Sequence, residues 1–168
     1  DLISQTVSDR IMQEIVRPTI EGIAEEGAPY RGVLYFGLML TADGPKVLEY
    51  NVRFGDPETQ VILPRLESSL LEILLAIAEG NLAKIKPQWS NGSAICVVLA
   101  SGGYPGEYQT GFPITGIEQA EAIEDVTVFH AGSRFKNGHY FTAGGRVLGV
   151  TARGADLLEA REKVYRAI

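Results

Sequence analysis

The stretch that most constrains the fold runs from residue 47 to residue 60 and reads VLEYNVRFGDPETQ. Its first half is predicted to be a strand, in which alternate side chains point to the same face. Glu49, Asn51 and Arg53 are therefore expected to share one face. Gly55 then ends the strand, and a helix follows. The chain is thus organised around a strand, a turn and a helix, with an acid, an amide and a guanidinium on one side.

The residues of the turn predict where that helix begins. Asp56 is expected to cap it, with Pro57 at the first helical position and Glu58 in an acidic first turn. For Asp56 alone, capping is the preferred explanation. Gly55 is expected either to adopt a positive φ angle or to let a ligand approach the backbone.

The polar face of the predicted strand has the groups of a metal and phosphate site. Side chains two strand residues apart are separated by roughly 6 to 7 Å along the chain, so Glu49 and Asn51 could both reach one ion. Such hard oxygen ligands suit Mg²⁺, which keeps several waters and binds substrate phosphates. The planar fork of Arg53 could hold a carboxylate or a phosphoryl group. The alternative is a solvent-facing row with a weak ion pair, but Glu and Asn are poor strand formers.

Composition argues against several classes of protein. The net charge of -6 and the pI near 5.0 argue against a general nucleic-acid-binding protein, which usually presents a basic face. No signal peptide is visible, and no apolar run approaches the ~20 residues that span a bilayer, so a soluble protein without a membrane partner is expected. Cys96 is the only cysteine. It is expected to be a buried, unreactive thiol, which fits a cytoplasmic location.

Apolar periodicity predicts a long helix near the start of the chain, from about residue 8 to residue 26. Ser8 is its expected cap and Gly27 its expected stop. The apolar rows keep their phase across Pro18, so one kinked helix is expected rather than two.

Three further elements are expected before a connector. The apolar run 32–40 predicts a strand covered on both faces and paired with the strand of the central stretch. Helices are predicted at 59–63 and 70–79, and the leucines and isoleucines of the second are expected in the core. The connector at 81–92 is rich in turn residues, and the predicted domains are 1–90 and 91–168.

The second predicted domain reads as a small sheet with a terminal helix. Asn137-Gly138 is a strong signal for a two-residue hairpin turn. The predicted strands and the final helix lie at 93–100, 127–133, 140–143, 146–151 and 156–168. The expected fold class is α+β.

Three features of this second part have more than one explanation. The glycine-rich segment 101–108 matches neither the P-loop pattern nor the dinucleotide-binding fingerprint. It is either a surface turn or a ligand-contacting loop. Lys136 stands at the predicted hairpin, where carrier domains present a modified lysine. It lacks the flanking methionines of carriers, so an exposed turn is favoured. His130 and His139 have no metal-ligand spacing, which favours surface or packing roles.

The central stretch resembles the signature of one enzyme family. The order Arg-Phe-Gly-Asp-Pro-Glu-Thr-Gln at 53–60 is similar to that of the phosphoribosylamine–glycine ligases, which belong to the ATP-grasp superfamily. Segments 30–35, 64–68 and 101–106 agree, and the likeness covers nearly the whole chain. The resemblance implies the C-terminal portion of an ATP-grasp domain, made of antiparallel strands with helices. A small mixed-sheet domain with a terminal helix is expected to follow.

The resemblance also implies an activity. Members of the family join glycine to 5-phosphoribosylamine with ATP through a glycyl phosphate intermediate, in de novo purine synthesis. Glu49 and Asn51 match the ligands of the Mg²⁺ or Mn²⁺ ion that bridges the ATP phosphates. Arg53 matches the catalytic arginine that faces the transferring phosphoryl group.

The four residues after the strand match a part of the family pattern that shapes the substrate pocket: Gly55, Asp56, Pro57 and Glu58. No ATP-holding segment precedes residue 1, so the chain is expected to be a C-terminal fragment, inactive without the missing N-terminal part of the same enzyme. One alternative is another ATP-grasp carboxylate–amine ligase or carboxylase, which shares the Glu-x-Asn-x-Arg core. The other is a stand-alone metal-binding or carrier module, which would bind metal without nucleotide.

Overall fold

The computed structural model describes residues 3–168 and consists of helices and antiparallel sheets, which confirms the α+β class. The described residues form two compact units. Unit 1 holds the residues up to Gly55 and the segment Leu70–Lys86, and unit 2 holds Asp56–Ser69 and Pro87–Ile168. One of the three points where the chain changes unit lies in the predicted connector. The domain limits 1–90 and 91–168 stay a prediction.

The first helix of unit 1 begins earlier than the apolar pattern predicts. Helix α1 (Gln5–Ile11) is capped by Ser4, whose hydroxyl oxygen accepts a hydrogen bond from Val7 N at 3.4 Å. The predicted cap at Ser8 is therefore wrong. Ser8 lies inside α1 because Ser4 already satisfies one of the free N–H groups of the first turn.

The helical run passes Pro18 by way of a π-helical segment. That segment, Met12–Val16, leads directly into α2 (Arg17–Glu25). Pro18 lies in the first turn of α2, where a residue without an N–H is best tolerated, and the predicted irregularity takes the form of the π-helical turn. Gly27 follows the helix with a φ of 85°, which confirms the predicted stop.

Two strands of unit 1, β1 (Tyr35–Thr41) and β2 (Gly44–Asn51), pair in antiparallel order and carry part of the candidate site. The expectation that β1 is covered on both faces is wrong within unit 1, where Met39 and Leu40 are about half exposed. The reason is that the pair forms a two-stranded ribbon rather than a sheet between two helical layers.

Helix α4 has the predicted limits, Leu70–Glu79, but its leucines are not core residues of unit 1. Leu71 and Leu75 are 67% and 52% exposed, and the buried residue of the helix is Ala76. Because the helix carries apolar side chains on nearly every side, it cannot bury all of those side chains against one neighbouring element.

Unit 2 contains two three-stranded antiparallel sheets. The strands are β3 (Ser93–Ala100), β4 (Pro113–Ile114), β5 (Val126–His130), β6 (Ser133–Lys136), β7 (His139–Thr142) and β8 (Arg146–Gly154). Their order is β3-β8-β5 in the first sheet and β4-β7-β6 in the second. The predicted hairpin turn at Asn137-Gly138 is confirmed, with φ angles of 51° and 81°.

The helices of unit 2 are α3 (Thr59–Ile62), α5 (Ile117–Glu121) and α6 (Leu157–Arg166). The core lies between α6 and the first sheet, where Val164 of α6 is fully buried. Asp156 caps α6 by accepting hydrogen bonds from two N–H groups of its first turn, each at 2.9 Å. This cap fixes where the helix begins on the sheet.

An ion-pair cluster lies on the first sheet beside α6. The Asp125 carboxylate accepts hydrogen bonds from Arg153 Nη2 at 2.7 Å and Lys163 Nζ at 3.4 Å. Burial works to raise the pKa of Asp125, but the hydrogen bonds from Lys163 and Arg153 outweigh it and hold the pKa below its ordinary value. The ionised carboxylate is therefore the form that stabilises unit 2.

Candidate functional site

The structure brings Glu49 and Asn51 together on the β1–β2 ribbon. Asn51 Nδ2 donates a hydrogen bond to Glu49 Oε1 at 3.1 Å. The two residues pair with Gly37 and Tyr35 of β1, respectively, and the register shifts directly after Gly37. Leu48 is the extra residue of this β-bulge, which shifts the strand register directly before Glu49.

Gly37 makes room for the Glu49 side chain. A Cβ atom at position 37 would lie 2.8 Å from Glu49 Cγ, closer than van der Waals contact allows. The Glu49 side chain therefore lies over the bare backbone of its cross-strand partner. Sequence reasoning missed Gly37, although a glycine inside an apolar strand is a known sign of close approach by another group.

The structure does not place Arg53 in the same strand row. Strand β2 ends at Asn51, and residues 52 and 53 form a bend. Arg53 Nη1 donates a hydrogen bond to the carbonyl oxygen of Phe54 at 2.9 Å. The predicted continuation of the alternation to Arg53 is wrong because the strand ends two residues earlier.

Aromatic residues position the end of β2. The Tyr50 ring meets the Phe36 ring edge to face at 5.4 Å, and its hydroxyl lies 3.3 Å from Thr19 Oγ1. The Tyr30 hydroxyl lies 3.5 Å from the carbonyl oxygen of Val52, the residue directly after β2. Contacts of this kind hold the backbone on which Glu49 and Asn51 stand.

In unit 2, Asp56 is not the cap of the following helix. The residue before α3 is Glu58, which makes no capping hydrogen bond with its side chain, so Pro57 is not at the first helical position either. Asp56 Oδ1 instead accepts a hydrogen bond from Gln60 Nε2 at 2.8 Å. The expectation fails because the chain makes a turn at 56–58 before α3 begins.

A second contact of Asp56 comes from a distant part of the sequence. Arg146 Nη1 donates to the Asp56 carbonyl oxygen at 2.8 Å, and Arg146 Nη2 lies 3.5 Å from Asp56 Oδ2. Sequence reasoning missed Arg146. The available signal was a Gly-Gly pair directly before a strand that begins with arginine.

The remaining predicted pocket residue of unit 1 is Gly55. It is buried, and it is not one of the described glycines with a positive φ angle. The first of the two reasons offered for a glycine at this position is therefore wrong. Close approach of a ligand to its backbone stays a prediction.

The loop at 101–108 lies on the glycine pair that precedes Arg146. Ser101 Oγ donates to the Gly144 carbonyl oxygen at 2.8 Å, and Ser101 N donates to the Gly145 carbonyl oxygen at 2.7 Å. The Tyr104 ring occupies the space that a side chain at 145 would need. The loop is thus held against the backbone before Arg146, and ligand contact by the loop stays a prediction.

Cys96 and His130 lie in strands of unit 2, whereas Glu49 and Asn51 lie in unit 1. Cys96 is only partly buried, so the expected full burial is wrong. Burial raises the pKa of the Cys96 thiol above its usual range, and low reactivity stays a prediction. His130 is exposed, its Nδ1 lies 2.7 Å from Ser133 Oγ, and its ring packs on Tyr140 at 4.4 Å, in keeping with the expected surface or packing role.

The donor set at Glu49 and Asn51 fits a Mg²⁺ or Mn²⁺ ion that is shared with a substrate. The described residues hold no group of three or more His, Cys, Asp or Glu side chains suited to a metal ion. A carboxylate and an amide oxygen are the kind of partial shell that Mg²⁺ completes with water and phosphate oxygens.

None of the described helices is both long enough and apolar enough to cross a membrane.

Two models of one protein family match this chain. The ATP-grasp (A) domain of phosphoribosylglycinamide synthetase matches residues 1–59, and the C domain of the same enzyme matches residues 94–168. The chain belongs to the phosphoribosylglycinamide synthetase family. Glu49, Asn51, Arg53 and the turn after them fall within the A-domain match.

Individual relatives agree with the family models. The chain is 49% identical over 166 residues to a phosphoribosylamine–glycine ligase from Caldanaerobacter subterraneus subsp. tengcongensis, covering 99% of this chain and 39% of the relative. It is 52% identical over 164 residues to the ligase of Synechocystis sp., covering 96% and 39%, respectively. The crystal structure of the ligase from Thermotoga maritima superposes with a TM-score of 0.82 at 38% identity, covering 98% of this chain and 40% of that one. The chain therefore spans about two fifths of the length of these relatives.

Proposed function

We propose that this chain is part of an enzyme that joins glycine to 5-phosphoribosylamine at the expense of ATP. The proposed products are glycinamide ribonucleotide, ADP and phosphate, in a step of purine synthesis, and the cytoplasm is the proposed location. The observation that carries the proposal is the Glu49–Asn51 pair within a chain about half identical to ligases of that name. ATP, glycine and phosphoribosylamine are the proposed partners, with the remaining part of the enzyme completing the nucleotide site.

Glu49 and Asn51 are the residues that would hold the Mg²⁺ or Mn²⁺ ion. Because the Asn51 amide nitrogen is turned to Glu49, its carbonyl oxygen is left to bind a cation. Glu49 keeps its second carboxylate oxygen for the same purpose. When bound, the ion would neutralise charge on the ATP phosphates.

Arg53 is the proposed catalytic residue. A guanidinium has five N–H donors, and one of them is used on the Phe54 carbonyl oxygen. The others are available for the transferring phosphoryl group while a glycine carboxylate oxygen bonds to phosphorus and the bond from phosphorus to ADP breaks. The amine of phosphoribosylamine then attacks the glycyl carbonyl and displaces phosphate. A fixed cation stabilises the charge that develops in both steps.

The turn 55–58 is proposed to shape the substrate pocket. Gln60 and Arg146 fix the Asp56 carboxylate, so this acid has a defined position from which to bind a donor group of the substrate. Gly55, Pro57 and Glu58 are the other residues proposed to shape this pocket. Arg146 is a positioning residue in this proposal because it acts through Asp56.

The test is ADP release in the presence of ATP, Mg²⁺, glycine and phosphoribosylamine. We expect glycine-dependent release from the chain joined to its natural upstream sequence and none from the 168 residues alone. Asn51→Ala should abolish most of it. Asn81→Ala is the matched control, because Asn81 also donates its side-chain amide to a glutamate two residues away, Glu79.

Two results would contradict the proposal. ADP release that does not depend on glycine would indicate another ATP-grasp ligase or carboxylase. Metal binding by the 168-residue chain that needs neither nucleotide nor upstream sequence would indicate a stand-alone metal-binding or carrier module.

A further inference from the structure

A cleft of about 410 Å³ lies beside the β6–β7 hairpin of unit 2. Its lining combines two cations, an amide, two hydroxyls and an aromatic ring, contributed by Arg134, Lys136, Asn137, Thr110, Thr142 and Phe141. No carboxylate lines it among the residues the structure describes. In a chain with a net charge of -6, the cleft is a locally basic region.

The two cations of the cleft act on the same space. Arg134 and Lys136 are two residues apart on β6, so their side chains lie on the same face. The ion pairs found within residues 3–168 use other cations, so neither of these side chains has a carboxylate partner there. Their charge is therefore available to an anion.

Thr142 fixes the edge of the cleft rather than adding a donor to it. It pairs with Ser133, so its side chain lies on the face opposite that of Arg134 and Phe141. Its Oγ1 accepts a hydrogen bond from Phe112 N at 3.1 Å, which ties the segment before β4 to the end of β7. Asn137 is fixed at the rim by the hairpin turn, where its φ of 51° is set.

The size of the cleft and the Phe141 ring indicate more than a bare anion. Small-molecule sites typically enclose roughly 300 to 1,000 Å³, and this cleft falls in that range. Phe141 is half buried opposite Arg134 in the strand pair and supplies a flat apolar wall. An arginine and a lysine together suit the oxygens of a phosphate group.

We propose that this cleft binds a phosphomonoester that carries a flat ring, of the size of a nucleoside monophosphate. The phosphate contacts Arg134 and Lys136, and the ring lies against Phe141. The binding does not depend on the ligase reaction, because every residue that lines the cleft belongs to unit 2.

The test is calorimetric titration of the 168-residue chain at low ionic strength with three probes: AMP, adenosine and inorganic phosphate. AMP should bind more tightly than either of the others. Arg134→Gln and Lys136→Gln should each weaken AMP binding about tenfold, the usual effect of losing a hydrogen bond between charged groups. Lys84→Gln, at an exposed lysine of unit 1, is the matched control and should leave AMP binding unchanged.

Amide chemical shifts of the unsubstituted chain give a second measurement that does not depend on the folding of a variant. AMP should shift the signals of residues 134–142. Shifts confined to unit 1, equal weakening in the Lys84 control, or no saturable AMP binding would overturn the proposal. Adenosine binding as tightly as AMP would refute the phosphate contacts, and phosphate binding as tightly as AMP would refute the contact with Phe141.

Discussion

A methyl group added at position 37 should disable the candidate metal site without unfolding the chain. In the Gly37→Ala variant, the new Cβ would lie 2.8 Å from Glu49 Cγ. The atom in its way belongs to a flexible side chain, so Glu49 can move. The φ angle of Gly37 is not positive, so alanine is compatible with the backbone.

The size of the functional loss follows from the geometry. To restore ordinary contact, Glu49 Cγ must move by several tenths of an ångström, and its carboxylate moves further. The 3.1 Å hydrogen bond from Asn51 is then lost, and with it the joint position of the two oxygens. Misplacement of a catalytic group by about 1 Å can lower the rate roughly 100-fold. The loss of stability should be small, about 1 kcal/mol, because a side chain can rotate away.

Glycine-dependent ADP release and thermal unfolding are the two assays, both on the chain joined to its natural upstream sequence. Gly22→Ala is the matched control, since nothing lies within 4 Å of a Cβ at that position inside α2. The control should keep its activity and gain about 0.5 to 1 kcal/mol of stability. Full activity in Gly37→Ala, with unchanged metal dependence, would refute the account of Glu49.

Three further substitutions test unit 2. Val164→Ala removes two methyl groups from a fully buried site and should cost about 2 to 3 kcal/mol in a urea unfolding experiment; a loss below 1 kcal/mol would contradict the assigned core. Arg146→Gln should raise the KM for phosphoribosylamine more than it lowers kcat, because Asp56 loses its second contact; a pure kcat effect would contradict a positioning role. Asp125→Asn tests the pH dependence of stability. Because the folded protein lowers the pKa of Asp125, the ionised carboxylate stabilises unit 2 at pH values above its ordinary pKa of 3.8, and this stabilisation is lost as the pH falls through the folded pKa. The variant should melt earlier at pH 7, and the difference should shrink below about pH 4; a difference that is constant with pH would show that the charge is not involved.

Secondary structure could be predicted from the sequence where a segment determines its own conformation. β3 forms at the predicted residues because an unbroken apolar run is bounded by turn residues on both sides. α6 begins after Asp156 as its capping residue requires, and Asn137-Gly138 accepts the positive φ angles of its turn. In each case the cause lies within a few residues of the effect.

Prediction failed where the partner is distant or the element is short. Asp56 reads as a helix cap in its own segment, but its contacts include an arginine 90 residues away. Strand β4 has two residues and cannot show alternation. The bulge at Leu48 and the early end of β2 depend on pairing with β1, so Arg53 does not continue the row of Glu49 and Asn51.

The Mg²⁺ dependence of glycine-dependent ADP formation in the Asn51→Ala variant, with Asn81→Ala measured beside it, tests directly whether Glu49 and Asn51 bind the metal ion. Loss of even an outer-shell partner typically weakens metal affinity about 10- to 100-fold, so loss of a direct ligand should raise the half-saturating Mg²⁺ concentration at least about tenfold. We expect this rise for Asn51→Ala and none for Asn81→Ala. An identical Mg²⁺ dependence in both variants would contradict the assignment of Glu49 and Asn51 as the metal-binding pair.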